Sequence, residues 1–111
     1  MSDWVPDQGD LIWIHFDPQV GREQGGHRPA LVLSPARYNR QIGLLVCVPL
    51  TTKGKGYAFE FAISDSPPSV ALVDHIKSLD WRSRKASPKG RVTEIEFATI
   101  QARLRRLIGS P

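Results

Sequence analysis

The stretch DLIWIHF, residues 10–16, decides how the fold is read. In an extended chain Leu11, Trp13 and His15 fall on one face and Ile12, Ile14 and Phe16 on the other. Both faces are largely apolar, so this strand is expected to be covered on two sides. Further strand-like runs follow: PALVLS (29–34), IGLLVCVPL (42–50), YAFEFAIS (57–64), VALVDHIKSLDW (70–81) and a short GRVT (90–93). In YAFEFAIS, Tyr57, Phe59, Phe61 and Ile63 alternate with smaller or polar residues, which marks Tyr57 and Phe59 as core. Most connections are too short for a helix, which argues against a βαβ arrangement. A small, strongly curved antiparallel barrel is the expected product.

At the C-terminal end the period changes. Thr93 and Glu96 make the T-x-x-E pattern of a capping box, with Glu94 in the first turn. Phe97, Ile100, Leu104, Leu107 and Ile108 then recur at helical spacing, and Gly109 ends the run. This helix is expected to pack on the barrel, with Arg103 and Arg106 away from most of its apolar stripe. The fold class is therefore mainly β with a C-terminal helix (α+β), in a single domain spanning 1–111.

A chain of 111 residues has room for one modest core, burying about 65% of the surface it exposes when unfolded. Its longest apolar run, 42–50, falls well short of the roughly 20 residues a bilayer needs, so no membrane partner is expected. Asp3, Asp7 and Asp10 stand where a leader would carry basic residues, which points to the cytoplasm. Cys47 is the only cysteine and lies inside an apolar run, as a buried, inert thiol would. The net charge is +4. Its excess of base is concentrated between Lys77 and Arg106, with nine Lys or Arg (77, 82, 84, 85, 89, 91, 103, 105, 106) against three acids (80, 94, 96). Such a segment suits a polyanion, or else is a solvated face.

Two charged, glycine-containing stretches carry candidate chemistry. In GREQGGHRPALVLS (21–34), three glycines free the backbone, and Pro29 biases Arg28 toward an extended conformation at the mouth of the next strand. Read alone, this is a site or a hairpin with a Glu23–Arg28 surface pair. The second stretch is TTKGKGY (51–57), where Thr51, Thr52, Lys53 and Lys55 could hold phosphate oxygens. It lacks the spacing of a P-loop. Together the two stretches offer a carboxylate, a guanidinium, hydroxyls and ammonium groups. Cleavage of RNA through its own 2′-hydroxyl needs that inventory, namely a base, donors to the phosphoryl oxygens and a proton for the departing 5′ oxygen. No cofactor is expected. His15, His27 and His75 show no short ligand spacing, so no metal is expected either.

From VPDQGDLIWIHFDP through GREQGGHRPALVLSPARYN, CVPLTTKGKGYAFE, VALVDHIKSLDWRSR and the final helix, the chain resembles the MazF/PemK family of bacterial toxin endoribonucleases. The resemblance implies a small SH3-like barrel of the plasmid-maintenance toxin type and a homodimer. It implies a sequence-specific, metal-independent ribonuclease for single-stranded RNA that leaves 2′,3′-cyclic phosphate and 5′-hydroxyl ends. It also implies inhibition by a cognate antitoxin with an acidic, partly disordered tail, and operator DNA binding only through that complex. Glu23 and Arg28 match the E-Q-x-G-x-R-P signature and Thr51 the first threonine after the strand end. The family roles carried over are a base for Glu23, phosphate stabilisation and proton transfer for Arg28, and transition-state contact for Thr51. Arg22 stands where some relatives have histidine, so a proton-transfer role placed there does not carry over. Leu72 stands where some have arginine. A guanidinium keeps its proton in nearly all protein settings, so Arg28 reads better as an electrostatic clamp than as an acid.

RNA specificity also needs surfaces that stack on bases or contact their edges. Candidate contacts are His27, Asp74, Lys77, Trp81, Arg82 and Arg84, beside Thr52, Lys53 and Lys55. Trp81 is either a stacking platform or core, and Trp13 core or dimer interface. A non-catalytic nucleic-acid-binding barrel is the alternative use of the same basic and aromatic residues.

Overall fold

The computed structural model describes residues 3–16, 27–64 and 69–109. Its strands are β1 (Asp10–His15), β2 (His27–Val32), β3 (Leu44–Thr51), β4 (Glu60–Ala62), β5 (Val70–Leu72), β6 (Lys77–Asp80) and β7 (Ser87–Arg91). Two helices join them, α1 (Ala36–Ile42) and α2 (Glu94–Leu107). Every strand pair is antiparallel, in the order β4-β5-β3-β2-β1-β7, with β6 pairing to β3 as well. β3 is the hub. It pairs with β2, with β6 over Leu44–Cys47, and with β5 at Leu50 and Thr51.

The two-faced reading of β1 holds at Leu11, Ile12 and Ile14, whereas Trp13, expected on a covered face, is exposed. Leu11, Leu31, Val48 and Leu50 join one buried cluster with Ile63, Val73, Val92 and Ile100. Ile12, Ile14, Ala30, Val32, Leu45 and Cys47 join a second with Leu79 and Trp81. Alternate residues of one strand thus feed two cores, which pins its register because a one-residue slip would exchange them. Cys47 lies fully inside the second cluster. Burial pushes its thiol up to about 12, so it stays protonated and inert.

α2 starts where its cap signal places it. The Glu96 N–H donates to Thr93 Oγ1 (3.1 Å), and the Thr93 N–H donates to Glu96 Oε1 (2.9 Å). Phe97, Ile100 and Leu104 pack on the first cluster, whereas Ile95 and Ile108 remain exposed. Arg103 departs from its expected position. Its guanidinium stands 5.0 Å from the centre of the Phe61 ring, and Nη1 donates to the Glu60 carbonyl at 3.3 Å.

Three features differ from the sequence expectation. α1 has no clear apolar period; it is organised by fully buried Asn39, whose amide donates to the Pro6 and Ser34 carbonyls (2.8 and 3.0 Å) and accepts from Ser34 Oγ (2.6 Å). Gly43 closes it with φ +86°, a left-handed angle suited to glycine. VALVDHIKSLDW is broken into β5 and β6 by a turn in which the His75 N–H donates to the Leu72 carbonyl at 3.0 Å. The last strand starts at Ser87, ahead of GRVT, because it pairs with β1 over Asp10–Trp13. No helix among the described residues is long and apolar enough to cross a membrane.

Candidate functional site

Residues far apart in sequence meet through the β2–β3 ladder. Its register runs Val32↔Cys47, Leu31↔Val48 and Ala30↔Pro49. The ladder runs no further than Ala30↔Pro49; Arg28 lies two residues before Ala30 and Thr51 two residues after Pro49, at neighbouring ends of the paired strands, with Arg28 on the face of Ala30 and Val32. Arg28 is exposed at the start of β2, and Thr51 is half-buried at the end of β3. Thr51 is also held from the other edge by pairing with Val70. Its Oγ1 accepts the Lys53 N–H at 3.1 Å. The hydroxyl proton therefore remains available to an oxygen in front of it.

Thr51 opens onto a groove of about 730 Å³ lined by Thr51, Lys53, Lys55, Tyr57, Glu60, Leu72 and His75. The Glu60 carboxylate accepts from the Lys55 N–H (3.0 and 2.9 Å) and the Gly56 N–H (2.9 Å). These backbone bonds, the one from Lys55 foremost, hold the Glu60 carboxyl below its ordinary pKa. The Tyr57 hydroxyl donates to Asp74 Oδ2, and this bond is the main cause that raises the phenol pKa. His75 Nε2 lies 3.8 Å from Asp74 Oδ1, which accepts no hydrogen bond from the described residues. The groove thus pairs a cationic, hydroxyl-bearing wall with an acceptor-rich one, an arrangement suited to a ligand carrying both phosphates and base donors.

The family model of the PemK-like, MazF-like toxin of type II toxin-antitoxin systems matches residues 7–108. The chain belongs to that family. The endoribonuclease toxin MazF of Escherichia coli strain K12 is 52% identical over 110 residues, covering 98% of this chain and 99% of its own length. The endoribonuclease PemK of Escherichia coli is 29% identical over 108 residues, covering 92% and 81%. A crystal structure of MazE-MazF from Deinococcus radiodurans matches with TM-score 0.90 and 46% identity, over 98% of this chain and 100% of the matched one. The sheet core with a C-terminal helix is the architecture of the MazF-type toxins.

In this MazF-like chain the expected contact residues separate into groups. Thr51, Lys53 and Lys55 line the groove, and Thr52 is exposed beside them. Asp74 reaches it through Tyr57. Glu23, with the rest of 17–26, lies outside the described residues. His27 falls on the strand face opposite to Arg28; its ring lies 4.1 Å from that of His15, and Nε2 donates to the Lys85 carbonyl at 3.3 Å. Lys77 is exposed on β6, opposite Cys47.

Three expectations need correction. Trp81 is no exposed stacking platform, since it is 6% exposed and its Nε1 donates to the Asn39 carbonyl at 2.9 Å. Trp4 meets its ring edge-on, and the Arg82 guanidinium lies 4.4 Å from its centre. Arg84 is engaged by the backbone, with Nη1 donating to the His15 and Phe16 carbonyls at 3.2 and 2.6 Å. Conversely, Tyr57 is 47% exposed and not core. The sequence reading missed the groove roles of Tyr57, Glu60 and His75. The alternation of YAFEFAIS placed Tyr57 inside, but β4 begins only at Glu60. The available signal was Gly54 and Gly56, which mark a loop running up to Tyr57.

Proposed function

We propose that this chain is a sequence-specific endoribonuclease toxin acting on single-stranded RNA without a metal ion. The observation that supports this most is the groove that brings Thr51 together with Lys53 and Lys55, next to the β2–β3 pairing whose nearby end carries Arg28. In the reaction the 2′-oxygen attacks the adjacent phosphorus, its proton passes to Glu23, and the bond from phosphorus to the 5′ oxygen breaks. One product ends in a 2′,3′-cyclic phosphate and the other in a 5′-hydroxyl. The Arg28 guanidinium and the Thr51 hydroxyl donate to the phosphoryl oxygens as charge grows on them. The proton for the 5′ oxygen comes from a group other than Arg28, which does not release one.

Regulation belongs to the same reading. The Deinococcus radiodurans relative was solved as MazE-MazF, which supports an antitoxin partner here. The net charge of +4 favours an acidic antitoxin tail as it favours RNA, so the two are expected to compete. A homodimer belongs to the same reading, and exposed Trp13 is the apolar side chain the sequence offers for its interface.

Purified protein should cut a long mixed-sequence single-stranded RNA in the presence of a chelator, and end-group analysis should find cyclic phosphates and 5′-hydroxyls. Ends bearing 3′-hydroxyl and 5′-phosphate would reject the 2′-hydroxyl route. Intact RNA that binds but is never cut would leave only a nucleic-acid-binding barrel.

A further inference from the structure

The cationic wall of the groove is a loop that has little reason to keep one shape alone. Residues 52–58 are all exposed, and they include Gly54 and Gly56. Gly56 sits at φ +79°, where a side chain would be strained. Among the described residues, two carboxylates hold this loop: Asp74 accepts the Tyr57 hydroxyl at its end, and of the two only Glu60 binds its backbone. Glu60 accepts the Lys55 N–H with both oxygens and the Gly56 N–H with one, and its own N–H donates to the Tyr57 carbonyl at 3.0 Å. Gly54 is packed so closely that a Cβ there would lie 3.0 Å from Glu60 Oε1 and 3.2 Å from Val70 Cγ2. Behind the loop, Arg103 of α2 bonds the Glu60 carbonyl and covers Phe61.

A carboxylate lining a groove meant for a polyanion works against its ligand through simple charge repulsion. Its bonds to backbone N–H groups show what it does instead. We propose that Glu60 is a positioning residue: it clamps the 52–57 loop so that Lys53 and Lys55 stand beside Thr51, facing the phosphates of a bound single-stranded RNA. This rests on the ribonuclease reading above. It adds that the affinity of the groove depends on an internal acid and not on its cations alone.

The test compares kcat and KM of Glu60→Ala, Glu60→Gln and Gly54→Ala on an RNA that the unaltered chain cuts. With the loop released, Glu60→Ala should raise KM about tenfold, while kcat changes by less than about threefold because β3–β5 pairing holds Thr51 independently. Glu60→Gln keeps an accepting oxygen and should recover part of the loss. Gly54→Ala should reproduce the rise in KM with the charge of Glu60 intact. Loss of a negative charge by itself acts in the opposite direction and lowers KM, so a fall or no change in Glu60→Ala overturns the proposal.

Amide hydrogen exchange supplies an arm independent of activity. The Lys55 and Gly56 amides should be protected in the unaltered chain and released in Glu60→Ala, with β3 amides unchanged. Unprotected amides in the unaltered chain overturn the clamp. Should Glu60→Ala fail to fold, Gly54→Ala and exchange in the unaltered chain still decide the matter. A chain that cuts no RNA at all defeats the ribonuclease reading, while exchange continues to test the clamp.

Discussion

In the proposed reaction Arg28 and Thr51 divide the work by what each side chain can offer a phosphate. The guanidinium brings a permanent charge and a planar fork of donors, and the hydroxyl brings one donor held by the sheet. Arg28 is exposed, so truncating it should shift stability by no more than about 0.5 kcal/mol. Its loss should instead lower the single-turnover cleavage rate by roughly 10²-fold or more, because the contact is strongest in the transition state. Arg28→Lys keeps the charge without the fork and should fall between the two. An undiminished rate in correctly folded Arg28→Ala would remove Arg28 from the site. The same scale shows what single residues conceal. Trp81 and Tyr57 both adjoin charged or glycine-rich segments, yet one is buried against Asn39 and the other open to the groove. Residue type sets what a side chain can do, and its neighbours decide whether it is covered.

Among the elements, α2 is the one most readable from its local sequence, because its cap is made by residues three apart. Thr93→Ala should cost about 1 kcal/mol of stability. Glu96 adds a pH dependence. Partial desolvation pushes its carboxyl upward, but the hydrogen bonds from Thr93 and Ser64 together outweigh it and the net pKa is lowered. A depressed folded-state pKa contributes stability that is fully present above the unfolded-state pKa and is lost as pH falls through the folded value. The difference in thermal midpoint between the unaltered chain and Glu96→Gln should therefore be constant near neutrality. It should shrink as pH drops below about 4.3, the ordinary glutamate value. A difference that does not change with pH would deny Glu96 this role. α1 is the contrary case. Its seven residues, ARYNRQI, hold almost no helical pattern, and Asn39 organises it through Pro6, Ser34 and Trp81, partners spread along the chain.

For the molecule as a whole, charge and groove together predict binding that weakens steeply with salt. For a 2′-O-methyl RNA, which binds but lacks the attacking hydroxyl, log affinity should fall linearly with log salt, and Lys53→Ala should reduce the slope by about one unit. Slopes unchanged in both Lys53→Ala and Lys55→Ala would place the phosphate path elsewhere. By itself the sequence determined the strand identities around β1, the start of α2, the basic balance and the ordered motifs that carry the family resemblance. These are properties of neighbouring residues, where period, cap and charge are local. Tertiary structure alone decided that the start of β2, with Arg28, lies near the end of β3, with Thr51, that VALVDHIKSLDW turns at Leu72–His75, and that Glu60 binds the backbone of the lysine loop. The physical reason is register. Leu11, Leu31 and Val48 must enter one core while Ile12, Ala30 and Cys47 enter the other. That double burial, which no local window contains, fixes which distant residues end side by side.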